Sequence, residues 1–407
     1  MKIGAFAKQN GVGIDTVRHY MDLELLIPQK AGKQYEFDLQ CQKDFEEILY
    51  LKSLGFSLLE IKNIFLVRHL GAMTSFQQME QFRGIFRQKQ ADVRAQIEAL
   101  SREASRLESE LRKMETAPGG PRRSFGVDLA SLRFLCCGRC GKPLHLHGAC
   151  VDDDRILSGR LTCECGTEYT VRDGILFAGG GCRGEEEDNQ LPDVLSYMEQ
   201  TDEEYLKKVD KTIVWTLHRI DFGGLAGKVL LEPGVGSGFL LRRLYGSLPE
   251  SAVYFAVDRS PVRLRFLKSI LEKAEPQKNV ALLCCDFSHI PLKERCVDAV
   301  CDFSGSTAYA FEHPEFLLDK IDRLTKPDAE LIGSYIVFRS IRPENEIPQE
   351  CRPLFRLDPV KKHIAALGFQ KQAEYLSEAV DRGGIYESYF SGGEQVQTYS
   401  FVGKRPG

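Results

Sequence analysis

Three glycines constrain this chain more than any other feature. The apolar run Val229-Leu230-Leu231 leads into Glu232-Pro233-Gly234-Val235-Gly236-Ser237-Gly238, and Phe239 to Leu244 then reads as a helix. Glycines in a strand-to-helix turn let a ligand approach backbone N–H groups at the start of a helix. A dinucleotide fingerprint would need glycine at 239, where Phe239 stands. Three more apolar runs follow, and each ends at an acid: Tyr254 to Asp258, Ala281 to Asp286-Phe287, and Val297 to Asp302. Strand-like runs joined by helical segments predict a parallel α/β sheet that takes its ligand at the strand C-termini.

A Gly-x-Gly-x-Gly turn behind an acidic residue resembles the S-adenosylmethionine (SAM) loop of class I methyltransferases. The resemblance covers about residues 191–407 and implies a Rossmann-like methyltransferase domain. It implies that Glu232, Gly234, Gly236 and Gly238 cradle the methionine end of SAM. Asp258, 20 residues beyond Gly238, would accept the ribose hydroxyls, Asp286 would bind the adenine amino group, and Phe287 would lie beside the ring. Ile321 to Ala329 would supply a helix and turn, Leu331 to Val337 the fifth strand, and Ala366–Phe369 and Tyr399–Val402 the last two. Asp302 and Tyr309 lie where a proton acceptor could act; His313 reads as structural. Positioning supplies much of the rate of methyl transfer, so a dedicated base is not required. Asp302-Phe303-Ser304-Gly305 is not the Asn/Asp-Pro-Pro-aromatic loop of enzymes that methylate exocyclic base amines. The chain has no Pro-Cys dipeptide, which argues against cytosine-C5 methylation.

Two breaks divide the rest. Ala117-Pro118-Gly119-Gly120-Pro121 cannot continue a helix. Gly179-Gly180-Gly181, followed by Glu185-Glu186-Glu187-Asp188, reads as a second linker. They predict a module at 1–75, a long helix at 76–116, a cysteine module at 132–178 and the large domain at 191–407. In the long helix Val93, Ile97, Leu100, Ala104, Leu107, Leu111 and Met114 alternate at spacings of 4 and 3, extended upstream by Phe86 and Gln90. One helix cannot bury such a seam, so a coiled coil with a second copy is expected.

Residues 1–75 predict short helices at Ile3–Lys8, Ile14–Met21, Leu39–Leu54 and Ser57–Val67, with a turn at Asn10-Gly11 and a small wing at Lys30–Phe37. Helix, turn, helix and wing make a winged helix-turn-helix. Ile3-Gly4-Ala5-Phe6-Ala7, Gly11 to Tyr20, Leu25-Leu26-Ile27-Pro28, Tyr35, Phe37 and Leu54 to Ile61 resemble the MerR family of bacterial regulators. The resemblance implies DNA contacts from Thr16, Arg18, His19, Tyr20, Lys33 and Tyr35, with Arg18 and Tyr20 on the backbone. It also implies dimerisation through the coiled coil, a pseudo-palindromic promoter site, and a switch that works by distorting DNA. Three positions depart from the family: Gly13 where Ser or Asn caps the recognition helix, His19 for an aromatic residue, and Glu36 where the wing carries Arg. The module holds as many Lys and Arg as Asp and Glu, so its electrostatic share of binding is modest unless Lys8, Arg18, Lys30 and Lys33 share a face.

Cys137-Gly138-Arg139-Cys140-Gly141 and Cys163-Glu164-Cys165-Gly166 pair as the two turns of a zinc ribbon. Four thiolates suit tetrahedral Zn²⁺ in a structural, coordinatively closed site. Because the second pair is CxC, Cys136, Cys150, His145 or His147 could replace one ligand. The stretch from Leu161 to Ile175 resembles the ribbon in front of certain bacterial rRNA guanine methyltransferases, over about residues 132–178. The 13 scattered cysteines fit reduced thiols better than a disulfide framework. Cys284, Cys285, Cys296 and Cys301 read as small core residues.

With 43% apolar residues and a net charge of -4, the composition excludes a wholly disordered chain. No run approaches a membrane span, and the first residues do not form a signal peptide. The expectation is a cytoplasmic homodimeric regulator that binds promoter DNA, SAM and a small molecule which it senses and can methylate. The alternative is an enzyme acting on a small molecule or RNA, with the winged helix as a targeting module.

Overall fold

The computed structural model describes residues 1–32, 34–70, 75–116, 124–179, 194–390 and 392–407. The chain forms two compact units, Met1–Pro118 and Gly119–Gly407.

In the first unit, α1 (Ile3–Gln9) and α2 (Ile14–Asp22) are joined by the Asn10-Gly11 turn, and β1 (Gln29–Ala31) pairs antiparallel with β2 (Gln34–Glu36) as the wing. Next come α3 (Leu39–Ser53), α4 (Leu58–Leu70) and α5 (Ser75–Thr116). Local signals set the boundaries. The Asp38 carboxylate accepts the Cys41 N–H at 2.9 Å and starts α3. Ser57 and Glu60 exchange side-chain-to-backbone bonds at 2.7 and 3.3 Å, a capping box that starts α4. Phe6, Val17, Tyr20, Leu25, Phe37, Phe45 and Ile48 form the core, and Phe82 and Ile85 of α5 pack onto it. Beyond that point the heptad seam lies open. Ile97, Leu100, Leu107, Leu111 and Met114 are 58–72% exposed.

The second unit is a 12-stranded sheet. Its strands and helices in chain order begin with β3 (Val127–Asp128), β4 (His145–Asp152), β5 (Arg155–Thr162), β6 (Glu168–Arg172), β7 (Ile175–Phe177), α6 (Val194–Gln200) and α7 (Glu203–Leu217). They continue through β8 (Val229–Pro233), α8 (Phe239–Leu244), β9 (Val253–Asp258), α9 (Pro261–Leu271), β10 (Asn279–Cys284), β11 (Val297–Phe303), α10 (Gly305–Ala310) and α11 (Leu317–Ile321). The last are β12 (Thr325–Ser340), α12 (Leu357–Ala366), β13 (Gln370–Leu376) and β14 (Gln395–Lys404). The spatial order β13-β14-β12-β11-β8-β9-β10 is the doubly wound part, with β14 antiparallel to both of its neighbours. The order reverses between β8 and β11, which opens a crevice at their C-terminal ends.

The cysteine module is built into this same sheet. β7 pairs parallel with β10, Leu283 opposite Leu176, and β6, β5 and β3 extend the row. Val127, Leu161, Tyr169, Val171 and Leu176 share one apolar core with Leu231, Phe255 and Leu283. Among the described residues, no helix is long and apolar enough to cross a membrane.

Two expected boundaries are corrected. Ala366 closes α12 and Gly368 turns the chain at φ 83°, so the strand starts at Gln370 rather than at Ala366. β12 starts at Thr325, inside the segment expected to be helix and turn. Residues 326–329 bulge between the pairs Val297–Thr325 and Ala299–Glu330, so Pro327 sits where its missing N–H costs no ladder bond.

Candidate functional site

The site begins where β8 ends. All of Val229–Pro233 is buried, so the glycine loop starts from a fixed base. The N–H groups of Gly234 and Val235 both donate to the Val257 carbonyl, at 2.8 and 3.0 Å. Gly236 donates its N–H to Asp258 Oδ2 at 2.8 Å. β9 therefore clamps the turn twice. Gly234 has φ 70°, and a Cβ there would lie 2.8 Å from Gly305 Cα. Gly236, at φ 54°, has nothing within 4 Å of an added Cβ but the Gly234 carbonyl at 4.0 Å. The first glycine serves packing; the second leaves space for a ligand.

That space is a cavity of about 440 Å³. Glu232, Gly234, Gly236 and Ser237 line it together with Phe239, Phe303, Tyr197, Tyr205, Tyr386 and Glu387. Glu232 is 1% exposed and accepts the Tyr254 hydroxyl at 2.7 Å. Burial, reinforced by Asp302 and Asp258, pushes its carboxyl up to about 8, so it is mostly neutral near pH 7. The open space over Gly236 and the buried Glu232 carboxyl beside it fit a cofactor such as SAM.

The predicted ligand residues divide. Glu232, Gly234 and Gly236 line the cavity; Gly238, Asp258, Asp286 and Phe287 do not. Gly238 is the N-cap of α8. Asp258 is 7% exposed and accepts the N–H groups of Gly236 and Ser260, so its visible role is to brace the loop. Asp286 accepts the Ser288 N–H at 2.8 Å, which with the Ser288 hydroxyl holds its carboxyl below the usual range despite partial burial. Phe287 packs 3.7 Å from the Cβ position of Gly234 and edge-on to Tyr309.

The proposed base residues are corrected. Asp302 is completely buried, and both of its oxygens take Ser306, the N–H at 2.8 Å and the hydroxyl at 2.5 Å. Burial raises it to about 6. It anchors the start of α10 and presents nothing to a substrate. Tyr309 is 6% exposed and sandwiched between Phe287 and His313, whose ring stacks on it at 4.2 Å. His313 is thus a packing residue, as expected from the sequence. The sequence reading missed Tyr197, Tyr205, Tyr386 and Glu387. The aromatic pattern Tyr386-Glu387-Ser388-Tyr389-Phe390 behind Gly383-Gly384 was visible, but nothing in it indicated which cavity it would enter.

The thiols of Cys137, Cys140, Cys163 and Cys165 lie within 4.8 Å of one another, with Cys137–Cys165 at 3.6 Å and Cys140–Cys163 at 3.5 Å. A tetrahedral ion about 2.3 Å from each sulfur requires separations of about this size. Gly141 and Gly166 donate N–H bonds back to the carbonyls of Cys137 and Cys163, which shapes each knuckle. Neither Cys136, Cys150, His145 nor His147 joins this group.

On the helix-turn-helix, Arg18 and His19 are exposed on α2, Thr16 is half-buried and Tyr35 is 43% exposed on the wing. Tyr20 is 3% exposed, packs on Phe45 and accepts a 3.3 Å bond from Lys52, which makes it a core residue rather than a DNA contact. Gly13 begins α2 without a side-chain cap. Arg18 pairs with Asp15 at 3.1 Å, which lowers the charge available on this face. Lys33 lies outside the described residues.

Residues 1–66 match the family model described as "MerR HTH family regulatory protein", and residues 225–380 match that described as "Methyltransferase domain". No curated protein matches the chain. Among solved structures, a SAM-dependent methyltransferase from Aquifex aeolicus is 20% identical, with a TM-score of 0.34, over 52% of this chain and 99% of that one. The phosphoethanolamine N-methyltransferase 2 of Haemonchus contortus is 15% identical, with a TM-score of 0.36, over 48% and 53% of the two chains. The magnesium protoporphyrin IX methyltransferase of Synechocystis is 12% identical, with a TM-score of 0.35, over 54% and 90%. The chain joins a MerR helix-turn-helix domain to a methyltransferase domain.

Proposed function

We propose that this chain is a homodimeric transcription regulator that binds a pseudo-palindromic promoter site through α2 and the wing, and that its methyltransferase domain binds SAM and senses a small molecule, which it methylates. The exposed α5 seam supports the dimer. The observation that carries the sensing role is the cavity itself, because Glu232 to Ser237 occupy only part of its lining and aromatic side chains form the rest. The aromatic part of the lining lies outside the cofactor loop and would face the second molecule.

SAM, when bound, supplies an electrophilic methyl group. Glu232 and the open space over Gly236 would hold the cofactor, Asp258 keeps that loop in shape, and the aromatic wall orients the acceptor and excludes water. With Asp302 and Tyr309 sealed in packing roles, catalysis rests on positioning rather than on a dedicated base. The four thiolates hold a structural Zn²⁺ with no open coordination position.

Titration of the chain with its own promoter DNA, with and without SAM, tests the reading, paired with turnover against a metabolite pool. Sequence-specific binding that responds to the small molecule supports it. Turnover without sequence-specific DNA binding would instead make the chain primarily an enzyme. Gly236→Asp should abolish SAM binding and leave the dimer intact; unchanged SAM affinity would mean that the cofactor site lies elsewhere.

A further inference from the structure

We infer that the part of this cavity walled by Tyr197, Tyr386 and Glu387 is a subsite for an organic ammonium, so that the sensed molecule carries a cationic nitrogen apart from the atom that accepts the methyl group. The inference rests on the proposed reading only in assigning that molecule as sensed and methylated; the subsite is argued from its own residues. Tyr197 lies on α6, and Tyr386 and Glu387 follow the Gly383-Gly384 pair. None of the three belongs to a strand–loop–helix unit that builds the cofactor loop. The two arginines among the lining residues, Arg242 and Arg263, stand on α8 and α9, the helices that follow β8 and β9. Opposite charges thus enter the cavity from different parts of the fold.

Glu387 is 6% exposed. Its carboxylate accepts the Tyr197 hydroxyl at 2.7 Å and the Gly384 N–H at 2.8 Å, which fixes its direction. Gly384 itself is pressed against α6, where a Cβ would lie 2.4 Å from the Gln200 carbonyl. A carboxylate held in a desolvated, aromatic setting attracts a cation far more than it would in water and repels an anion. The rings add to this. Tyr197 lies 5.9 Å from the Phe239 centroid and 5.7 Å from that of Tyr386, which makes a cluster of electron-rich faces. Burial and Glu387 hold the Tyr197 phenol well above its usual range, so it stays a donor to the carboxylate.

A lysine of α7 is buried beside this lining, against Tyr205. Lys208 Nζ is buried without a hydrogen-bond partner among the described residues, 4.1 Å from the Tyr205 ring centroid, and Glu387 is the charge that favours its protonation. Burial pulls Lys208 down to about 7. At pH 8 it is therefore mostly neutral and leaves Glu387 to an incoming cation.

The test uses the full chain at pH 8 and calorimetry with three aryl probes that differ in charge: benzyltrimethylammonium, benzyl alcohol and benzoate. S-adenosylhomocysteine is titrated separately. The ammonium should bind about tenfold more tightly than the alcohol, with benzoate weakest. Glu387→Gln and Tyr197→Leu should each remove that preference while S-adenosylhomocysteine affinity stays the same. Equal binding of the alcohol, no binding of the ammonium, or a preference that survives Glu387→Gln would overturn the inference. Failure of S-adenosylhomocysteine to bind, with the ammonium preference intact, would overturn the methyltransferase reading and leave the ammonium subsite standing.

Discussion

The heptad helix and the central sheet carry the same kind of residue and treat it in opposite ways. Strands β8 to β11 place their Leu, Val, Ala and Phe side chains under cover on both faces, most of them less than 5% exposed. The α5 seam leaves Leu100, Leu107 and Met114 more than 60% exposed. A strand inside a wound sheet finds helices of its own chain above and below it. A helix running past its domain finds none. The sheet is therefore covered within one chain, whereas the helix seam is left for the proposed second copy to cover.

The sharpest way to break this comparison is to remove the metal. The ribbon strands share the core of the sheet, but the two knuckles bring four thiols together, which a metal ion would tie to one another. Structural zinc sites bind with roughly 10–16 kcal/mol, so chelation or Cys163→Ser should cost the second unit roughly 5 kcal/mol or more. The loss should also reach the segment whose Phe287 packs beside Gly234 of the cofactor loop. Cys136 donates to the Pro291 carbonyl at 3.0 Å, Lys293 donates to that of Phe134 at 2.8 Å, and a Cβ on Gly138 would lie 3.0 Å from the His289 carbonyl. Segment 286–292, which carries Asp286 and Phe287, is thus braced by the knuckle. Metal content, thermal melting and SAM calorimetry on the same samples check this; full melting temperature without bound metal would refute it.

A smaller effect is expected from inside the sheet. Glu232 titrates near 8 in the fold, against 4.5 when unfolded. Its raised value means that its share of stability is complete below about 4.5 and is lost as pH rises through about 8. Over that window the loss is roughly 3–5 kcal/mol. Glu232→Gln stays neutral, so its stability should fall less between pH 5 and pH 8 than that of the parent chain. Buried acids that do not act on Glu232 cancel in the difference, whereas Asp302 and Asp258, which repel its charged form, lose that repulsion in the variant and move the difference in the same direction. Urea unfolding of both at the two pH values decides it, and identical falls would mean that Glu232 is not held neutral.

Periodic and punctuated features were legible in the sequence. The heptads, the glycine turns and the acid-ended strands each carry a local signature, and β11 runs from Val297 to Phe303 as expected. The thiol pairs also found each other, although a CxC left the ligand set open. Contacts between distant segments were not legible. Tyr197 and Glu387 are 190 residues apart, and their bond depends on how α6 and the 384–387 turn dock. Asp302 looked available because the end of β11 faces the crevice, but the Ser306 hydroxyl and N–H that occupy it come from the next helix turn. The sequence also showed linkers around the cysteine module without showing that β7 would pair with β10.

The mildest of these changes isolates the seam. Leu107 is 66% exposed in the single chain, so Leu107→Ala removes almost no contact within it. Folding stability that is independent of concentration should therefore hardly change. In a coiled coil both copies lose a buried leucine, each costing about 1.5 kcal/mol or more, so about 3 kcal/mol in total, or more than about a hundredfold rise in the dissociation constant. Sedimentation across a concentration series separates the two cases, because only an interface makes the loss depend on dilution. If Leu107→Ala dissociates no more readily than the parent chain, the seam is covered by something other than a second copy, and the contrast between helix and sheet loses its meaning.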